Sequence, residues 1–509
     1  MTMTVAETAP EAAISYGERI RNLAESQPDV AVVRMVVNGE ETGSISYADL
    51  NRAADRLARR FLDLGANDSS FIAIALPNGI AFYVALVAAW RIGACPVPLK
   101  YDMTAPERRQ FLDLLDPAVL IGNWHLLPER EISDAEINAI AADTSPVEPV
   151  ADIIPQRCWA IASGGSTGKP KIILNCRPGS LQWQFVAIKT NYGERHIQLI
   201  CTPLYHTSAL SMSVRSLMDG DTLIVLPRFE ASAVVDAVDR YQVTLLALVA
   251  TTMVRILRLP GLDPAKLKSI KLLIAGAGAI ADEVLHGWAD IVGAGNIAIG
   301  YGASEGIGSV TIGGDDLLLH PGTVGRPTSC DVLIVDEDGN PLPRGEVGEL
   351  FLRAHSGDSH CFDYIGGEAP RKRPDGFVSV GDLAWLDEEG YLYISDRRTD
   401  MVKTGGVNVF PAEVEAVLHG LPTIADAVVI GLPDPDWGRK LHAILVAVDP
   451  RHPPEIDELN RYLRERLVPQ KVPKSFEFVD SLGRAETMKL NRTALAEARI
   501  SARDKEKRV

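Results

Sequence analysis

The stretch Ser163-Gly164-Gly165-Ser166-Thr167-Gly168-Lys169-Pro170-Lys171 follows an apolar run, Cys158-Trp159-Ala160-Ile161-Ala162, which predicts a buried strand. Glycines let the backbone approach a ligand closely and adopt dihedral angles that other residues avoid. With its hydroxyl and ammonium groups, such a loop can surround the oxygens of a polyphosphate. It is not a Walker A motif, because Ser163 stands where that motif has glycine and Pro170 where it has Ser or Thr. A flexible surface loop is the competing interpretation.

The chain around this loop alternates predicted helices with short apolar strands. Residues 51–64 carry apolar side chains at helical spacing, with arginines and aspartates on the opposite face, which predicts an amphipathic helix. A strand is predicted over 71–76 and an apolar helix over 81–92. This alternation predicts an α/β architecture with largely parallel sheets. Further strands are predicted over 197–202, 222–226, 245–249, 272–275 and 297–299, with a helix over 233–240.

After residue 320 the pattern becomes rich in short strands and turns, which predicts β-hairpins. The charged stretch 396–400 has no apolar periodicity and marks a domain boundary. We therefore predict a large N-terminal domain, 1–396, of mixed and parallel sheets with helices and a β-rich subdomain. A small, mobile α+β C-terminal domain, 397–509, would follow. The predicted elements of this region are strands at 332–336, 348–353, 378–380, 391–394, 427–430 and 443–448, helices at 412–418 and 456–467, and a frayed charged end at 501–508.

The bulk composition excludes several classes of protein. The 509 residues are 46% hydrophobic and 23% charged, as in globular proteins, and the net charge of −16 argues against binding to nucleic acid or to anionic membranes. The six cysteines show no metal-ligand spacing, which favours reduced thiols. Residues 1–12 lack the pattern of a signal peptide, and the apolar run 81–94 is short and interrupted by Arg91. We expect a cytoplasmic protein without a membrane span.

Two further motifs are weak when taken alone. Residues 271–281 run from a strand into G-x-G-x-x-A, which resembles a dinucleotide-binding turn and leaves an NAD-dependent oxidoreductase open. Residues 302–306 match G-x-S-x-G, the nucleophile elbow of a hydrolase with Ser304 as nucleophile. An elbow is followed by a helix, whereas 307–314 does not read as one. A structural turn is the simpler interpretation of the first motif, and the missing helix argues against the second.

The order and spacing of these motifs resemble the adenylate-forming superfamily, which includes acyl-CoA synthetases, adenylation domains of peptide synthetases and luciferases. The resemblance runs from about residue 46 to residue 492. The stretches that carry it are 86–99, 163–171, Tyr301-Gly302-Ala303-Ser304-Glu305, Gly381-Asp382-Leu383, 396–413 and Lys489.

The resemblance implies a two-step ligase that uses ATP, Mg²⁺ and coenzyme A. A carboxylic acid is first converted to an acyl adenylate with release of pyrophosphate, and the acyl group then passes to the coenzyme A thiol. The loop 163–171 would wrap the β and γ phosphates, Glu305 would hold Mg²⁺, and Ser304 would donate to the α-phosphate. Lys489 would bridge carboxylate and phosphate oxygens, and His206 would line the acyl pocket. The implied catalytic residues are Lys489, His206 and Glu305.

On the nucleoside side, the resemblance implies that Tyr301 stacks on adenine beside the backbone of 276–278. Asp382 would accept from the ribose hydroxyls with support from Arg397. Rotation of the small domain about a hinge at 399–400 would bring two glycines to the thiol channel. The implied binding residues are Ser163, Gly165, Ser166, Thr167, Gly168, Lys171, Gly276, Ala277, Gly278, Tyr301, Gly302, Ala303, Ser304, Asp382, Arg397, Gly405 and Gly406.

Three positions depart from the family pattern. Gly164 replaces a common serine, Thr399 stands where Asp or Lys is common, and Met488 replaces the glycine that usually precedes the lysine. A glycine gives backbone freedom, so Met488 is expected to slow adenylation. A binding protein with weakened catalysis is therefore a further alternative.

The stretch after His206 restricts the substrate. Amino-acid-activating relatives carry an aspartate there, and residues 207–214 contain no acid. An amino acid is therefore disfavoured, and the apolar pocket candidates favour a hydrophobic acid. The motifs at 163–168 and 405–411 resemble those of acyl-CoA ligases for bulky, ring-bearing acids, which implies a substrate of the steroid, diterpenoid or aryl type. The alternative acceptor is a carrier protein, although no carrier segment follows residue 492, and a homodimer is left open. The apolar pocket candidates are Trp183, Phe185, Val186, Ala209, Leu210, Met212 and Ala303.

Overall fold

The computed structural model describes residues 13–164, 170–181, 195–276, 278, 280–355, 361–367, 369–397, 400–404, 407–484, 490 and 492–506. The chain forms two compact units. Unit 1 comprises Met1–Pro227, Ser304–Gly306 and His360–Gly367. Unit 2 comprises Arg228–Ala303, Ile307–Ser359 and Glu368–Val509.

The helices are α1 Tyr16–Ser26, α2 Tyr47–Asp63, α3 Ile80–Arg91, α4 Ala105–Leu115, α5 Asp134–Ala142, α6 Thr207–Asp219, α7 Ala231–Tyr241, α8 Ala250–Leu257, α9 Asp282–Val292, α10 Asp315–Leu319, α11 Pro411–Gly420, α12 Ile456–Arg464 and α13 Arg492–Glu506. Short 3₁₀ turns lie at Pro264–Leu267, Ala294–Asn296 and Pro469–Lys471. Within the described ranges, no helix is long and apolar enough to cross a membrane.

The strands of the first half are β1 Ala31–Val37, β2 Glu40–Ser46, β3 Phe71–Ile74, β4 Cys95–Pro98, β5 Val119–Ile121, β6 Glu131–Ile132, β7 Ala160–Gly164, β8 Pro170–Asn175, β9 Ile197–Ile200, β10 Thr222–Val225, β11 Leu245–Val249, β12 Leu272–Gly276 and β13 Ile297–Gly302. Those of the second half are β14 Ser309–Gly313, β15 Arg326–Pro327, β16 Cys330–Val335, β17 Gly348–Ala354, β18 Phe362–Ile365, β19 Arg371–Lys372, β20 Val378–Leu386, β21 Leu392–Arg397, β22 Val402–Thr404, β23 Val407–Val409, β24 Ile424–Asp434, β25 Gly438–Ala447 and β26 Ser475–Phe478.

Unit 1 contains parallel sheets covered by helices. A parallel sheet has the order β4-β3-β5-β6, and β9, β10 and β1 form a second parallel set that the antiparallel strand β2 extends. Helix α3 packs against α1, α2 and α5, and all of its residues from Ala81 to Arg91 are buried. A third, antiparallel sheet has the order β18-β8-β7 and carries the glycine-rich loop between β7 and β8.

A buried charge network ties these helices together. Arg91 is completely buried, and its guanidinium contacts Asp55 of α2 at 2.7 Å and Asp152 at 3.0 Å. Burying an unpaired charge costs folding free energy. The two carboxylates offset that cost, which allows an arginine at the end of an apolar helix. The sequence pattern had placed the charges of α2 on the face opposite its apolar residues, and for Asp55 that expectation is wrong.

Unit 2 begins with the parallel strands β11, β12 and β13, which the antiparallel strands β14 and β15 extend. A β-rich sheet follows in which β17 and β20 lie side by side, flanked by β16, β19 and β21. The small C-terminal part contains the sheet β24-β25-β26, the hairpin β22–β23 and helices α11 to α13. Its core includes Val414, Leu418, Val429, Leu441 and Leu459.

The architecture confirms the predicted α/β fold with a large N-terminal and a small C-terminal domain. Strand β11 has the predicted bounds, and α3 agrees with its predicted helix to within one residue at either end. Helix α7 includes its predicted helix, and α2 begins four residues earlier and ends one residue earlier than predicted. The boundary between 396 and 397 stays a prediction. The predicted frayed end is wrong, because α13 continues to Glu506. Its Ala, Arg, Lys and Glu residues favour a helix intrinsically, which a reading of charge alone overlooks.

Candidate active site

The glycine-rich loop connects two antiparallel strands of unit 1. Ser163 of β7 pairs with Lys171 of β8, and Gly164 pairs with Pro170. A strand therefore follows the loop, whereas a helix follows the loop of P-loop NTPases, in agreement with the exclusion made from the sequence. The predicted binding residues Gly165, Ser166, Thr167 and Gly168 lie outside the described residues, as does the side chain of Ser163.

The side chains of Tyr364 and Lys171, from distant parts of unit 1, both contact the Glu305 carboxylate. The Tyr364 hydroxyl donates to Glu305 Oε1 at 2.5 Å, and the Lys171 ammonium lies 3.5 Å from the same oxygen. The ammonium also lies 4.0 Å from the centre of the Tyr364 ring, within cation–π range. The Glu305 carboxylate is 7% exposed. Its negative charge is thus held in place by a cation and a hydroxyl that are both attached to the β18-β8-β7 sheet.

Backbone geometry keeps Lys171 close to β18. Gly367, two residues beyond β18, has φ +69°, and a Cβ atom there would lie 2.9 Å from Lys171 Cβ. Both the left-handed backbone and the lack of space require glycine at this position. This close approach brings the stem of Lys171 against the chain that carries Tyr364.

The Glu305 cluster suits a magnesium ion that is bound together with phosphates. Among the described residues, the hydrogen bonds to this carboxylate end on Oε1, and none ends on Oε2. Proteins usually bind Mg²⁺ through one or two carboxylates, with substrate phosphates and water completing the shell. In the described part of the chain, no group of three or more His, Cys, Asp or Glu forms a protein-only metal site. The donor set therefore fits a phosphate-bound cation.

The start of helix α6 in unit 1 includes the predicted residue His206 and contacts the predicted residue Ser304. Thr207 Oγ1 donates to Ser304 Oγ at 2.7 Å, which fixes the hydroxyl assigned to the α-phosphate. His206 precedes the helix as its N-cap residue, and its carbonyl accepts from the Leu210 amide at 2.9 Å. Its ring lies 4.7 Å from that of Tyr205. The first turn of α6 contains no acidic residue, and Ala209, Leu210 and Met212 are buried.

In unit 2, the structure brings together the two residues expected to bind the nucleoside. The Tyr301 hydroxyl at the end of β13 donates to Asp382 Oδ2 at 2.6 Å. Asp382 lies in β20 directly after Gly381, which has φ +88°. The pairing of β20 with β21 places Arg397 opposite Asp382 in register, although the Arg397 side chain lies outside the described part. An aromatic ring and a carboxylate thus lie side by side, as recognition of a base and a ribose requires.

The first glycine of the motif after β12 packs tightly against the neighbouring strand. A Cβ atom at Gly276 would lie 2.7 Å from the Gly300 carbonyl oxygen of the neighbouring strand, so the close strand packing requires glycine. Gly278 is exposed, Ala277 lies outside the described residues, and α9 begins at Asp282. Gly302 is exposed and Ala303 half-buried at the end of β13.

The second glycine motif is not a nucleophile elbow. Strand β14, and not a helix, follows Ser304. The elbow geometry places the serine on a turn from a strand into a helix, so this arrangement does not support the hydrolase alternative.

Several predicted residues cannot be placed. Lys489, Gly405, Gly406 and the hinge residue Thr399 lie outside the described part of the chain, as do the pocket candidates Trp183, Phe185 and Val186. Conversely, sequence reasoning missed three neighbours of the site: Tyr364, Gly367 and, as a partner of Ser304, Thr207. The Gly366-Gly367 pair predicts a turn next to Tyr364. The sequence gives no sign that this tyrosine contacts Glu305, because that contact depends on the pairing of β18 with β8.

Comparison with known proteins places the chain among named ligases. The sequence matches the family described as AMP-binding enzyme over residues 20–357, and that described as AMP-binding enzyme C-terminal domain over residues 413–489. A feruloyl-CoA synthase from Amycolatopsis is 32% identical over 458 residues, 86% of this chain and 91% of that protein. A 2-succinylbenzoate–CoA ligase from Bacillus licheniformis is 28% identical over 499 residues, 94% of this chain and 98% of that protein.

Among solved structures, the o-succinylbenzoate coenzyme A synthetase of Bacillus subtilis is similar over nearly the whole length. Its complex with the acyl-adenylate intermediate matches with a TM-score of 0.78 and 27% identity, over 94% of this chain and 97% of that chain. Its complex with ATP and magnesium ion matches with a TM-score of 0.76 and 26% identity, over 94% and 98%.

Proposed function

The chain belongs to the AMP-binding enzyme family and is an AMP-forming acid–thiol ligase, and we propose that its substrate is a hydrophobic carboxylic acid that bears a ring system. Such a ligase uses ATP with Mg²⁺ to form an acyl adenylate and then forms a thioester with coenzyme A. The observation that carries the substrate proposal is the start of α6, where buried apolar side chains follow His206 and no acid is present. A substrate ammonium group would find no counter-charge there, so an amino acid is disfavoured.

The adenylation step brings together two groups that repel each other. A carboxylate oxygen of the acid attacks the α-phosphorus of ATP, and the bond to the bridging oxygen of pyrophosphate breaks. Because both reactants are anionic, stabilising the negative charge is the main task of the protein. A magnesium ion, when bound, neutralises part of the triphosphate charge.

In unit 1 we assign the phosphate end to the Glu305 cluster and the glycine-rich loop. Glu305 would hold the magnesium ion through the oxygen that Tyr364 and Lys171 do not contact. Lys171 would supply positive charge to a phosphate oxygen, and Ser304, oriented by Thr207, would donate to the α-phosphate. The short distances between these side chains support the assignment, since preorganised donors need little rearrangement when the substrate binds.

In unit 2 we assign the nucleoside to Tyr301 and Asp382. Tyr301 would stack on the adenine ring while Asp382 accepts hydrogen bonds from the ribose hydroxyls, with Arg397 in support. The hydrogen bond from Tyr301 to Asp382 supports this role because it aligns both side chains before the ligand arrives. Gly276 and Gly278 would let the adenine plane approach the backbone.

Lys489 is the proposed catalytic cation of the first step. It would bridge the attacking carboxylate and the α-phosphate oxygens, and leave when the small domain rotates about the hinge at 399–400. Gly405 and Gly406 would then line the path of the coenzyme A thiol. Met488 before the lysine is expected to slow this step rather than to prevent it.

Within the ring-bearing class, we favour an aryl acid over a steroid or a diterpenoid acid. The similar proteins named above are a feruloyl-CoA synthase and a succinylbenzoate–CoA ligase, both named for aryl acids. A carrier protein as acceptor is the alternative to coenzyme A. The cytoplasmic location and a homodimer stay predictions.

The test is acid-dependent release of pyrophosphate from Mg-ATP with a panel of aryl, fatty, steroid and diterpenoid acids, with and without coenzyme A. We expect release with aryl acids and a thioester product only when coenzyme A is present. If the adenylate forms but no thioester appears in the presence of coenzyme A, the alternative of a ligase that loads a carrier protein would be favoured. Turnover confined to fatty acids would refute the ring-bearing class.

A further inference from the structure

Two pairs of anchors hold the chain on either side of residues 485–489. Before this stretch, the guanidinium of Arg484 makes two hydrogen bonds to the Asp426 carboxylate, at 2.6 and 2.7 Å, while Leu482 is buried. After it, Leu490 packs against the same apolar cluster as Leu482, and Arg492 begins helix α13. The described residues on both sides of the proposed catalytic lysine are therefore held in place by contacts within the small domain.

The anchor at Arg492 joins three parts of the small domain. Its Nη1 donates to Asp400 Oδ2 at 2.6 Å and its Nη2 to Glu415 Oε2 at 2.7 Å, with Nε 3.3 Å from Glu415 Oε1. Glu415 Oε1 also accepts from the Val429 amide at 2.7 Å, which fixes the carboxylate to strand β24. The Arg492 side chain is 21% exposed. Its planar guanidinium uses its separate N–H groups on two carboxylates, an arrangement that lysine cannot reproduce.

Asp400 is the predicted hinge residue that the structure describes. Its hydrogen bond to Arg492 attaches this end of the hinge to the body of the small domain. Rotation would then take place in the chain before Asp400, and the residues from Asp400 onward would move together with α13. The same guanidinium thus connects the pivot to a point three residues after Lys489.

We propose that Arg492 is a positioning residue for adenylation, which fixes the start of α13, three residues after Lys489, to Asp400 and Glu415. The proposal rests on the function assigned to Lys489 above. Consecutive Cα atoms are about 3.8 Å apart, so Arg492 lies close enough along the chain for the loss of its contacts to widen the range open to the lysine. Misplacement of a catalytic group by about 1 Å can cost about 100-fold in rate.

The experiment compares Arg492→Met with Arg499→Met in the full-length protein. Arg499 is a matched control, because it lies in the same helix, is 23% exposed, and makes two hydrogen bonds to Glu477, at 2.8 and 3.0 Å. It does not adjoin the lysine segment. Three quantities are measured: acid-dependent pyrophosphate release, thioester formation from preformed acyl adenylate, and the melting temperature.

For Arg492→Met we expect the kcat of pyrophosphate release to fall about 10- to 100-fold with little change in the KM for ATP. Thioester formation from preformed adenylate should stay within about threefold, because the lysine is not needed there. Arg492→Lys should fall between wild type and Arg492→Met. The Arg499→Met variant should lose a similar amount of stability and keep pyrophosphate release within about threefold.

The proposal is overturned if Arg492→Met lowers both half-reactions equally, or affects pyrophosphate release no more than Arg499→Met does. If Arg492→Met does not fold, Glu415→Gln, which weakens the contacts of Arg492 to one carboxylate and leaves the hinge residue unchanged, is tested by the same comparison. Lys489→Ala distinguishes failure of the proposed role of the lysine from failure of the proposed role of Arg492. Unchanged pyrophosphate release in Lys489→Ala would refute the role of the lysine, whereas a large loss there with no effect in Arg492→Met would refute only this inference.

Discussion

Replacing Asp426 by asparagine should destabilise the small domain and remove much of its sensitivity to acid. Burial raises the pKa of this carboxyl, but hydrogen bonds from His419 and Arg484 and their charges outweigh it and lower the pKa from 3.8 to about 2. Arg255 of α8 lies 3.6 Å away and adds positive charge. The carboxylate is 7% exposed, so solvent screens these interactions little.

The pKa difference sets the magnitude of the effect. At about 1.4 kcal/mol per pKa unit, a decrease from 3.8 to about 2 corresponds to roughly 2.5 kcal/mol. Because the folded-state pKa is depressed, this stabilisation is fully present above about pH 4 and disappears as the pH falls towards 2. Asp426→Asn should therefore cost about 2 kcal/mol or more at pH 7, since it also leaves the buried Arg484 with a neutral partner.

The assay is native-state hydrogen exchange of the β24 amides at pH 7, joined with urea unfolding of both proteins between pH 2 and pH 8. The difference in unfolding free energy between wild type and variant should shrink steadily below pH 4. Asp449→Asn is the control, because that aspartate lies in an exposed turn after β25 and its replacement should change stability little. Equal stability of wild type and Asp426→Asn at pH 7, or a difference that persists unchanged at pH 2, would refute the reasoning.

The remaining predictions concern catalysis. Glu305→Gln should lower pyrophosphate release about 100-fold and raise the Mg²⁺ concentration needed for half-maximal rate, and an unchanged Mg²⁺ titration would contradict the metal assignment. Asp382→Asn should raise the KM for ATP about 10-fold, because a hydrogen bond to a charged group contributes about 1.5 kcal/mol. An equal increase in the KM for the carboxylic acid would argue against ribose binding by Asp382. Lys489→Ala should abolish most adenylate formation and retain thioester formation from preformed adenylate, so equal loss of both steps would contradict the domain-rotation scheme.

Local patterns in the sequence were sufficient for much of the fold. Apolar runs such as 245–249 and 272–275 are buried strands whose flanking residues give clear turn signals, so their positions could be predicted. The strand before the glycine-rich loop was predicted from its apolar run, whereas the strand β8 after the loop, which forms a hairpin with it, was not. The absence of an acid at the start of α6 could be read from the sequence itself, whereas the substrate class inferred from it stays a prediction.

Contacts between distant segments were not accessible in this way. Tyr364 reaches Glu305 only because β18 pairs with β8, and Lys171 is 134 residues from Glu305 along the chain. Likewise, Arg91 looked like an interruption of an apolar helix, whereas two carboxylates from separate segments neutralise it. The periodicity of apolar residues indicates which face of a helix or strand is buried. It does not indicate which charged side chain from another segment will pair with a charge on that element.

The path of the chain through the two units has a consequence for attempts to divide the protein. Unit 1 is completed by two short returns of the chain, Ser304–Gly306 and His360–Gly367, and these supply Glu305 and Tyr364. A fragment that ends at residue 227 would keep Lys171 and the glycine-rich loop but lose the acidic partner and strand β18. If the two halves were co-expressed, the second half would have to supply both short segments to unit 1. A single cut in the chain therefore cannot separate the two units.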